Sequence, residues 1–172
     1  MNEKTIQNGL FADLFYRSGQ RIICPNYTPR GWWECDLFSI TKAGFWMEYE
    51  IKISVADFRA DAGKERSERD NWREPAVIVK KHDRLAESHP EGPSRFFYVM
   101  PAEVAAKVEI PAWAGLVTVT AGRTRIHSRV TKPAPRLHKI KASPEMIGHV
   151  QSVFCARYWN LRRGLKEEEQ AA

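Results

Sequence analysis

Two carboxylates and a lysine lie on neighbouring strand-like segments in the first third of the chain. Asp36 belongs to the segment from Trp33 to Ile40, and Glu50 and Lys52 belong to the segment from Phe45 to Ser54. Alternate side chains of an extended strand share a face, so Glu50 and Lys52 point the same way. If the two segments pair as a hairpin, Asp36 lies near both, and we expect the three groups together at a sheet edge.

Such a trio has the chemistry needed to cleave a phosphodiester bond. Two carboxylates can bind Mg²⁺ or Mn²⁺ through oxygen and leave positions free for water and a phosphate oxygen. The metal lowers the pKa of its water, while the lysine orients or deprotonates that water or stabilises the transition state. The alternative is an amphipathic strand whose alternating charges face water and pair across strands, and the spacing alone does not exclude it.

A basic stretch elsewhere in the chain favours a polyanionic partner. The net charge is +6, from 27 Lys and Arg against 21 Asp and Glu, and no acidic residue occurs between Ile110 and Pro144. A region of one charge sign is typical of nucleic-acid-binding proteins, although a solvated basic hairpin would have the same composition. The seven cations of this stretch are Arg123, Arg125, Arg129, Lys132, Arg136, Lys139 and Lys141.

The composition suits one folded domain in the cytoplasm. With 172 residues, of which 43% are apolar, the chain is expected to form a single domain at residues 1–166 with a polar tail at 167–172. It has no apolar run of about 18 residues and no secretory signal pattern. Cys24, Cys35 and Cys155 lack metal-binding spacing and are expected to be buried, reduced thiols.

The order of elements predicts a mixed α/β domain around a central sheet. Helical spacing of apolar residues extends from 3 to about 17, and a short strand at 20–24 is expected to stop at Pro25. Glu34 and Glu48 share the faces of the trio; they are expected to be solvated partners of Lys or Arg, with a role as outer ligands as the alternative. The side chains expected to face the core from the second strand of the hairpin are Met47, Tyr49, Ile51 and Ile53.

A second helix is predicted to begin near Ser54. Ser54 and Asp57 resemble a capping box, and Asp61, one turn further on, is expected to be solvated. Residues 63–75 are crowded with charge and are predicted to form a loop or a frayed helix, and residues 76–87 are helical or mixed. The remaining predicted elements are strands at 95–100, 115–120 and 124–130 and a final helix that begins at Ser143.

Several motifs resemble one nuclease family. Glu34-Cys35-Asp36 followed by Glu50-Ile51-Lys52 resembles the core motif of the PD-(D/E)XK nuclease superfamily. The run EYEIKISVADFRAD, from Glu48 to Asp61, is similar to the MmcB-like group of DNA-repair and phage-encoded endonucleases. Further similar segments follow in the expected order, so the resemblance covers residues 31–141. These segments are Lys81–Leu85, Gly92–Pro101, Ile110–Leu116 and Ala134–Lys139.

The resemblance implies a restriction-endonuclease-like fold, with a central mixed β-sheet flanked by helices, and metal-dependent endonucleolytic cleavage of DNA. Asp36 and Glu50 would hold Mg²⁺ or Mn²⁺, the Ile51 carbonyl would be a further ligand, and Lys52 would assist the nucleophilic water. The expected process is DNA repair, recombination or phage DNA processing. The alternative is a non-catalytic DNA-binding or interaction module on the same fold.

DNA is the expected partner, and two regions are candidates to bind its backbone. Lys81 and His82 are expected to reach a phosphate, with ordinary surface positions as the alternative. Arg123, Arg125 and Arg129 are the candidates within the basic stretch. The sequence leaves open a homodimer and a protein partner in repair or phage replication.

Overall fold

The part of the chain that the structure describes contains eight strands and five α-helices. The structure is a computed structural model that describes residues 1–69, 75–123 and 125–171, with side chains in the last helix described as far as residue 164. The strands are β1 (Ile22–Tyr27), β2 (Cys35–Ile40), β3 (Trp46–Ile51), β4 (Glu65–Glu68), β5 (Val77–Lys80), β6 (Arg95–Pro101), β7 (Ala114–Ala121) and β8 (Ile126–Lys132).

Six of these strands form a central mixed sheet, which confirms the predicted fold class. Their order is β1-β2-β3-β6-β7-β8. Strand β2 is antiparallel to both of its neighbours, β1 and β3; strands β3, β6 and β7 are parallel; and β8 returns antiparallel to β7. The predicted β2–β3 hairpin turns at residues 41–44, where Gly44 has a φ of 84° that favours glycine. This hairpin positions the carboxylates described below.

Side-chain caps begin the first two α-helices, and the sequence predicts the second of these caps. Asn2 Oδ1 accepts the Thr5 N–H at 2.9 Å at the start of the first helix, which continues into a π-helical turn at Asp13–Arg17. Ser54 Oγ accepts the Asp57 N–H at 3.1 Å, which confirms the predicted cap. The helices are α1 (Glu3–Ala12), α2 (Val55–Ala60), α3 (Lys81–Ala86), α4 (Ala102–Ala105) and α5 (Pro144–Ala171).

One face of the sheet packs against α1 as an apolar core. Leu10 and Leu14 belong to the same buried cluster as Tyr49, whose ring stacks on Phe97 with 5.2 Å between the centroids. Of the four residues expected to face this core, Tyr49 and Ile51 are buried and Met47 is partly buried. The prediction is wrong for Ile53, which is 47% exposed because it lies beyond the end of β3.

Two predicted boundaries differ from the structure because strand pairing outweighs the local pattern. Strand β1 continues through Pro25, which pairs with Leu37; at the edge of a sheet, proline can direct its missing N–H away from the neighbouring strand. Residues 65–68 form strand β4, which pairs with β5 in a separate hairpin, rather than the predicted loop or frayed helix. Residues 70–74 of that predicted segment lie outside the described residues.

The chain divides into two compact units, residues 1–141 and 142–172. The first contains both sheets, and the second contains α5, where Ser143 Oγ accepts the Met146 N–H at 3.2 Å. Cys24 and Cys35 are buried as expected, whereas the prediction is wrong for Cys155, which is exposed in α5. Within the described residues, we find no helix with the length and apolar character required to cross a bilayer.

Candidate active site

The β2–β3 hairpin brings Asp36 and Glu50 together, as the sequence predicts. The antiparallel register of the hairpin puts the two side chains on the same face of the sheet. Asp36 Oδ2 accepts a hydrogen bond from the Ile51 N–H at 2.6 Å, and Lys52 Nζ lies 2.8 Å from Glu50 Oε1. The three residues predicted to be catalytic therefore lie in one cluster.

This cluster lies inside the sheet and not at its edge, which corrects the expectation from the sequence. Strand β3 runs between β2 and β6, and the exposed fractions of Glu50 and Lys52 are 0% and 4%. An interior strand that is covered on both faces buries its polar side chains as well as its apolar ones. The alternative of a strand whose charges face water therefore does not hold for these residues.

Three lysine amines surround the Glu50 carboxylate. Lys52 and Lys64 both contact Oε1, whereas Lys81 Nζ lies 2.8 Å from Oε2. Burial by itself would raise the pKa of Glu50, but the positive charges of Lys81 and Lys52 outweigh it and lower the pKa. Glu50 is therefore an ionised carboxylate with both oxygens engaged.

Lys81 is fully buried, although we expected it to lie at the surface. Its Nζ lies 2.5 Å from Glu48 Oε1, and the other oxygen of Glu48 accepts a hydrogen bond from Trp32 Nε1 at 2.7 Å. Burial would lower the pKa of Lys81, but Glu48 and Glu50 more than offset it and raise the pKa. Lys81 thus binds carboxylates and has no exposed surface for a DNA phosphate, and Glu48 is its buried partner and not a solvated residue.

Asp61 is a second carboxylate around which the cluster is built. It is buried, so the expectation that it is solvated is wrong. Its Oδ1 lies 2.9 Å from Lys52 Nζ and 3.1 Å from Lys64 Nζ. Its Oδ2 accepts a hydrogen bond from the Tyr98 hydroxyl at 2.8 Å and lies 2.9 Å from His82 Nε2. Burial would raise the pKa of Asp61, but the hydrogen bond with His82 and the charge of Lys52 lower it.

His82 connects this network to the protein surface. Its side chain is 21% exposed, and its ring packs against Trp113 with 5.0 Å between the centroids. Because Asp61 contacts both His82 and Lys52, the imidazole and the predicted catalytic lysine share one carboxylate. Of the two residues expected to reach a phosphate, His82 is partly exposed to solvent and Lys81 is not.

Asp36 and Glu50 have donor chemistry that fits a hard divalent cation. Burial and then the negative charge of Glu50 raise the pKa of Asp36 to about 7, so a nearby cation would favour its ionised form. Adjacent carboxylates are typical ligands of Mg²⁺ and Mn²⁺. No three His, Cys, Asp or Glu side chains among the described residues are arranged as a metal centre. Further ligands would be the Ile51 carbonyl, water and substrate.

The side chain of Arg129, in the basic strand β8, lies on the same face of the sheet as this cluster. Arg129 of β8 pairs with Thr118 of β7, which pairs with Met100 of β6. Met100 follows Val99, the partner of Ile51, so this row of residues is level with Lys52, which follows Ile51. With neighbouring strands about 4.8 Å apart, Arg129 lies about 14 Å across the sheet from the position of Lys52. The three basic residues singled out in the sequence, all exposed, are Arg123, Arg125 and Arg129.

Comparison with known proteins identifies the fold. No family model and no curated protein matches the sequence. The chain is similar to a solved structure, the SPO1766 protein of unknown function from Silicibacter pomeroyi, with a TM-score of 0.61 and 20% sequence identity. The similarity covers 98% of this chain and 94% of that chain. At this identity the likeness shows a shared α/β fold with a mixed central sheet and flanking helices.

Proposed function

We propose that the protein is a Mg²⁺- or Mn²⁺-dependent DNA endonuclease that acts in DNA repair, recombination or phage DNA processing in the cytoplasm. The observation that carries the proposal is the meeting of Asp36, Glu50 and Lys52 in one cluster, in which Glu50 and Lys52 are buried and Asp36 is half-buried. Burying ionised groups is costly, and apolar residues of similar volume often stabilise a fold as well or better. The cluster is therefore better explained by chemistry than by stability.

In this proposal, Asp36 and Glu50 hold the metal, which when bound would activate water and neutralise charge on the phosphate. Lys52 acts as an ammonium group. Burial would lower its pKa, but Glu50 and Asp61 outweigh that effect and raise it, so Lys52 keeps its proton at neutral pH. We infer that Lys52 orients the attacking water or stabilises charge on the phosphate, and does not accept the proton of the water.

The basic edge strand supports DNA as the substrate. Arg125 and Arg129 are exposed near the end of the sheet where Lys52 follows β3, and Arg129 is on the face that carries Glu50. A DNA backbone that contacts these arginines would lie within about three strand spacings of the cluster. Such phosphate contacts position a duplex without reading its sequence.

A second candidate function is DNA binding without cleavage. The observation in its favour is that both oxygens of Glu50 already contact lysine amines. Three buried or half-buried lysines thereby balance three ionised carboxylates without a metal. The members of this balanced set are Lys52, Lys64 and Lys81 on one side and Glu48, Glu50 and Asp61 on the other.

A cleavage assay with a matched lysine control separates the two functions. Supercoiled, linear and branched DNA are incubated with Mn²⁺ and wild type, Lys52→Ala or Lys80→Ala, in which an exposed lysine outside the cluster is removed. We expect wild type and Lys80→Ala to cut equally and Lys52→Ala to cut about 100-fold more slowly or worse.

Lys52 also pairs with two buried carboxylates, so its removal can destabilise the fold. Thermal denaturation therefore measures the folded fraction of each variant, and rates are compared per folded molecule. If wild type binds these DNA forms but cuts none of them, the binding module replaces the endonuclease. If Lys52→Ala cuts as fast as wild type per folded molecule, the role assigned to the lysine is wrong.

A further inference from the structure

Lys64 is the most exposed of the three lysines around Glu50. Its side chain is 35% exposed, compared with 5% for Lys52 and 0% for Lys81. Its Nζ contacts Glu50 Oε1 and lies 3.1 Å from Asp61 Oδ1. An ammonium group thus already occupies a cation position between two buried carboxylates.

We propose that the Lys64 ammonium holds the place of the divalent cation at Glu50 and is displaced when the cation binds. The inference rests on the proposed function, because it takes Asp36 and Glu50 as the residues that hold Mg²⁺ or Mn²⁺. Oε1 of Glu50 already contacts two amines, which engage both of its lone pairs, so a metal that binds this oxygen replaces Lys52 or Lys64.

Lys64 is the replaceable lysine because its amine has a path to water. An ammonium group on a flexible four-carbon side chain is strongly hydrated when it swings into solvent. Lys52 and Lys81 would instead have to leave buried carboxylates through packed protein. The movement is confined to the side chain, because the Lys64 carbonyl accepts the Lys81 N–H at 2.9 Å at the base of the β4–β5 hairpin.

Charge balance favours the same exchange. With the metal bound and Lys64 released, two lysines and a divalent cation balance four ionised carboxylates. With Lys64 retained, these groups would carry one excess positive charge beside the metal, which like-charge repulsion disfavours. Asp57 also lies 3.8 Å from Lys52, but its side chain is 41% exposed and water screens its charge. The groups in this balance are Lys52 and Lys81 with the metal, and Asp36, Glu48, Glu50 and Asp61.

Chemical modification of the wild-type protein tests the displacement without a variant. Amines are acetylated with and without Mn²⁺, and the rate at each lysine is read by mass spectrometry, with the exposed Lys80 as internal reference. We expect Mn²⁺ to accelerate acetylation of Lys64 several-fold and to leave Lys80 unchanged. If calorimetry shows Mn²⁺ binding but the rate at Lys64 stays constant or falls, the displacement is wrong and the proposed function stands. If calorimetry shows no Mn²⁺ binding, the displacement and the metal requirement of the proposed function both fail.

Metal affinity supplies an independent measurement. Mn²⁺ alone is titrated by calorimetry into wild type, Lys64→Met and Lys80→Met, the last of which removes the same charge outside the cluster. Removing the competing ammonium should tighten Mn²⁺ binding by about tenfold in Lys64→Met and leave the affinity of Lys80→Met at the wild-type value. Equal or weaker binding by Lys64→Met would overturn the exchange while leaving a metal site in place.

Discussion

Both faces of strand β3 are buried, but one face carries apolar side chains and the other carries charged ones. Tyr49 and Ile51, each 3% exposed, pack among apolar side chains under α1. Glu48 and Glu50, each 0% exposed, meet lysine amines on the other face. One strand of six residues therefore contributes to an apolar core on one side and to a charged cluster on the other.

This difference separates the part of the fold that provides stability from the part that we propose carries out chemistry. Apolar side chains are stabilised by removal of area from water, at about 25 cal/mol per Å², and tolerate substitutions that keep their volume. The charges of Glu48 and Glu50 are stable only while each has its partner, and they contribute little net free energy of folding. A side chain on the charged face is thus constrained by its exact counter-charge and not by its size.

The largest expected effect on stability comes from removing one buried charge. Lys81→Met leaves Glu48 and Glu50 without their shared amine and should lower the free energy of unfolding by about 3–5 kcal/mol. Urea denaturation at neutral pH measures the loss. The double variant Glu48→Gln with Lys81→Met should recover part of it, because it removes one of the stranded charges. A loss below about 1 kcal/mol in the single variant would contradict the charged face as described.

Leu10→Ala, on the apolar face, is the matching control. It removes a buried side chain that is 2% exposed and should cost about 2–5 kcal/mol through lost burial and a cavity. It should leave the cleavage rate per folded molecule unchanged, because Leu10 belongs to the apolar cluster on the opposite face of β3. A large fall in that rate would show that the two faces are not separate in function.

A smaller effect is expected where the charged face reaches the edge of the sheet. Replacing Arg125 and Arg129 with Ala should weaken DNA binding about tenfold, and the slope of log affinity against log salt should fall by about 1 for each lost phosphate contact. Fluorescence anisotropy at several salt concentrations measures both quantities. Arg21→Ala, exposed at the opposite edge beside β1, is the control and should bind like wild type. Equal weakening by Arg21→Ala would mean that net charge alone, and not strand β8, attracts DNA.

The smallest expected effect is a pH dependence of stability from Asp61. Its pKa is lowered in the folded protein, so its contribution is complete above its unfolded pKa of about 3.9 and is lost as the pH falls below it. The difference in the free energy of unfolding between wild type and Asp61→Asn should therefore shrink by about 1 kcal/mol for each pH unit below 4. Urea titrations from pH 7 to pH 3 measure it. A difference that is constant over this range would argue against the ionised, lysine-paired Asp61.

Local patterns were sufficient to predict the elements that carry Asp36, Glu50 and Lys52. The short turn at residues 41–44 and the alternation along β3 indicate the hairpin and the side chains that share a face. The Ser54 cap likewise follows from its spacing to Asp57. Each of these features depends on residues that are close in sequence, which is why the hairpin and the central trio could be predicted from the sequence.

The residues that contact the trio could not be predicted from local sequence patterns, because they belong to distant parts of the chain. Lys81 is 31 residues from Glu50, and Asp61 is 37 residues from Tyr98. Nothing near Lys81 in the sequence distinguishes a lysine under two carboxylates from one on a solvated helix. One weak signal existed for Asp61, since it follows Asp57 by four residues and therefore lies on the same helix face as a residue 3.8 Å from Lys52.

The most direct test of the account is the rate at which wild type and Asp36→Asn nick supercoiled DNA in Mn²⁺, at equal folded concentration. This substitution removes the charge that we propose binds the metal and keeps the volume of the side chain. We predict that wild type nicks the plasmid, and that Asp36→Asn binds it equally well and nicks it at least about 100-fold more slowly. Equal nicking by the two proteins, or no nicking by wild type, would contradict the assignment of the charged face of β3 as a nuclease site.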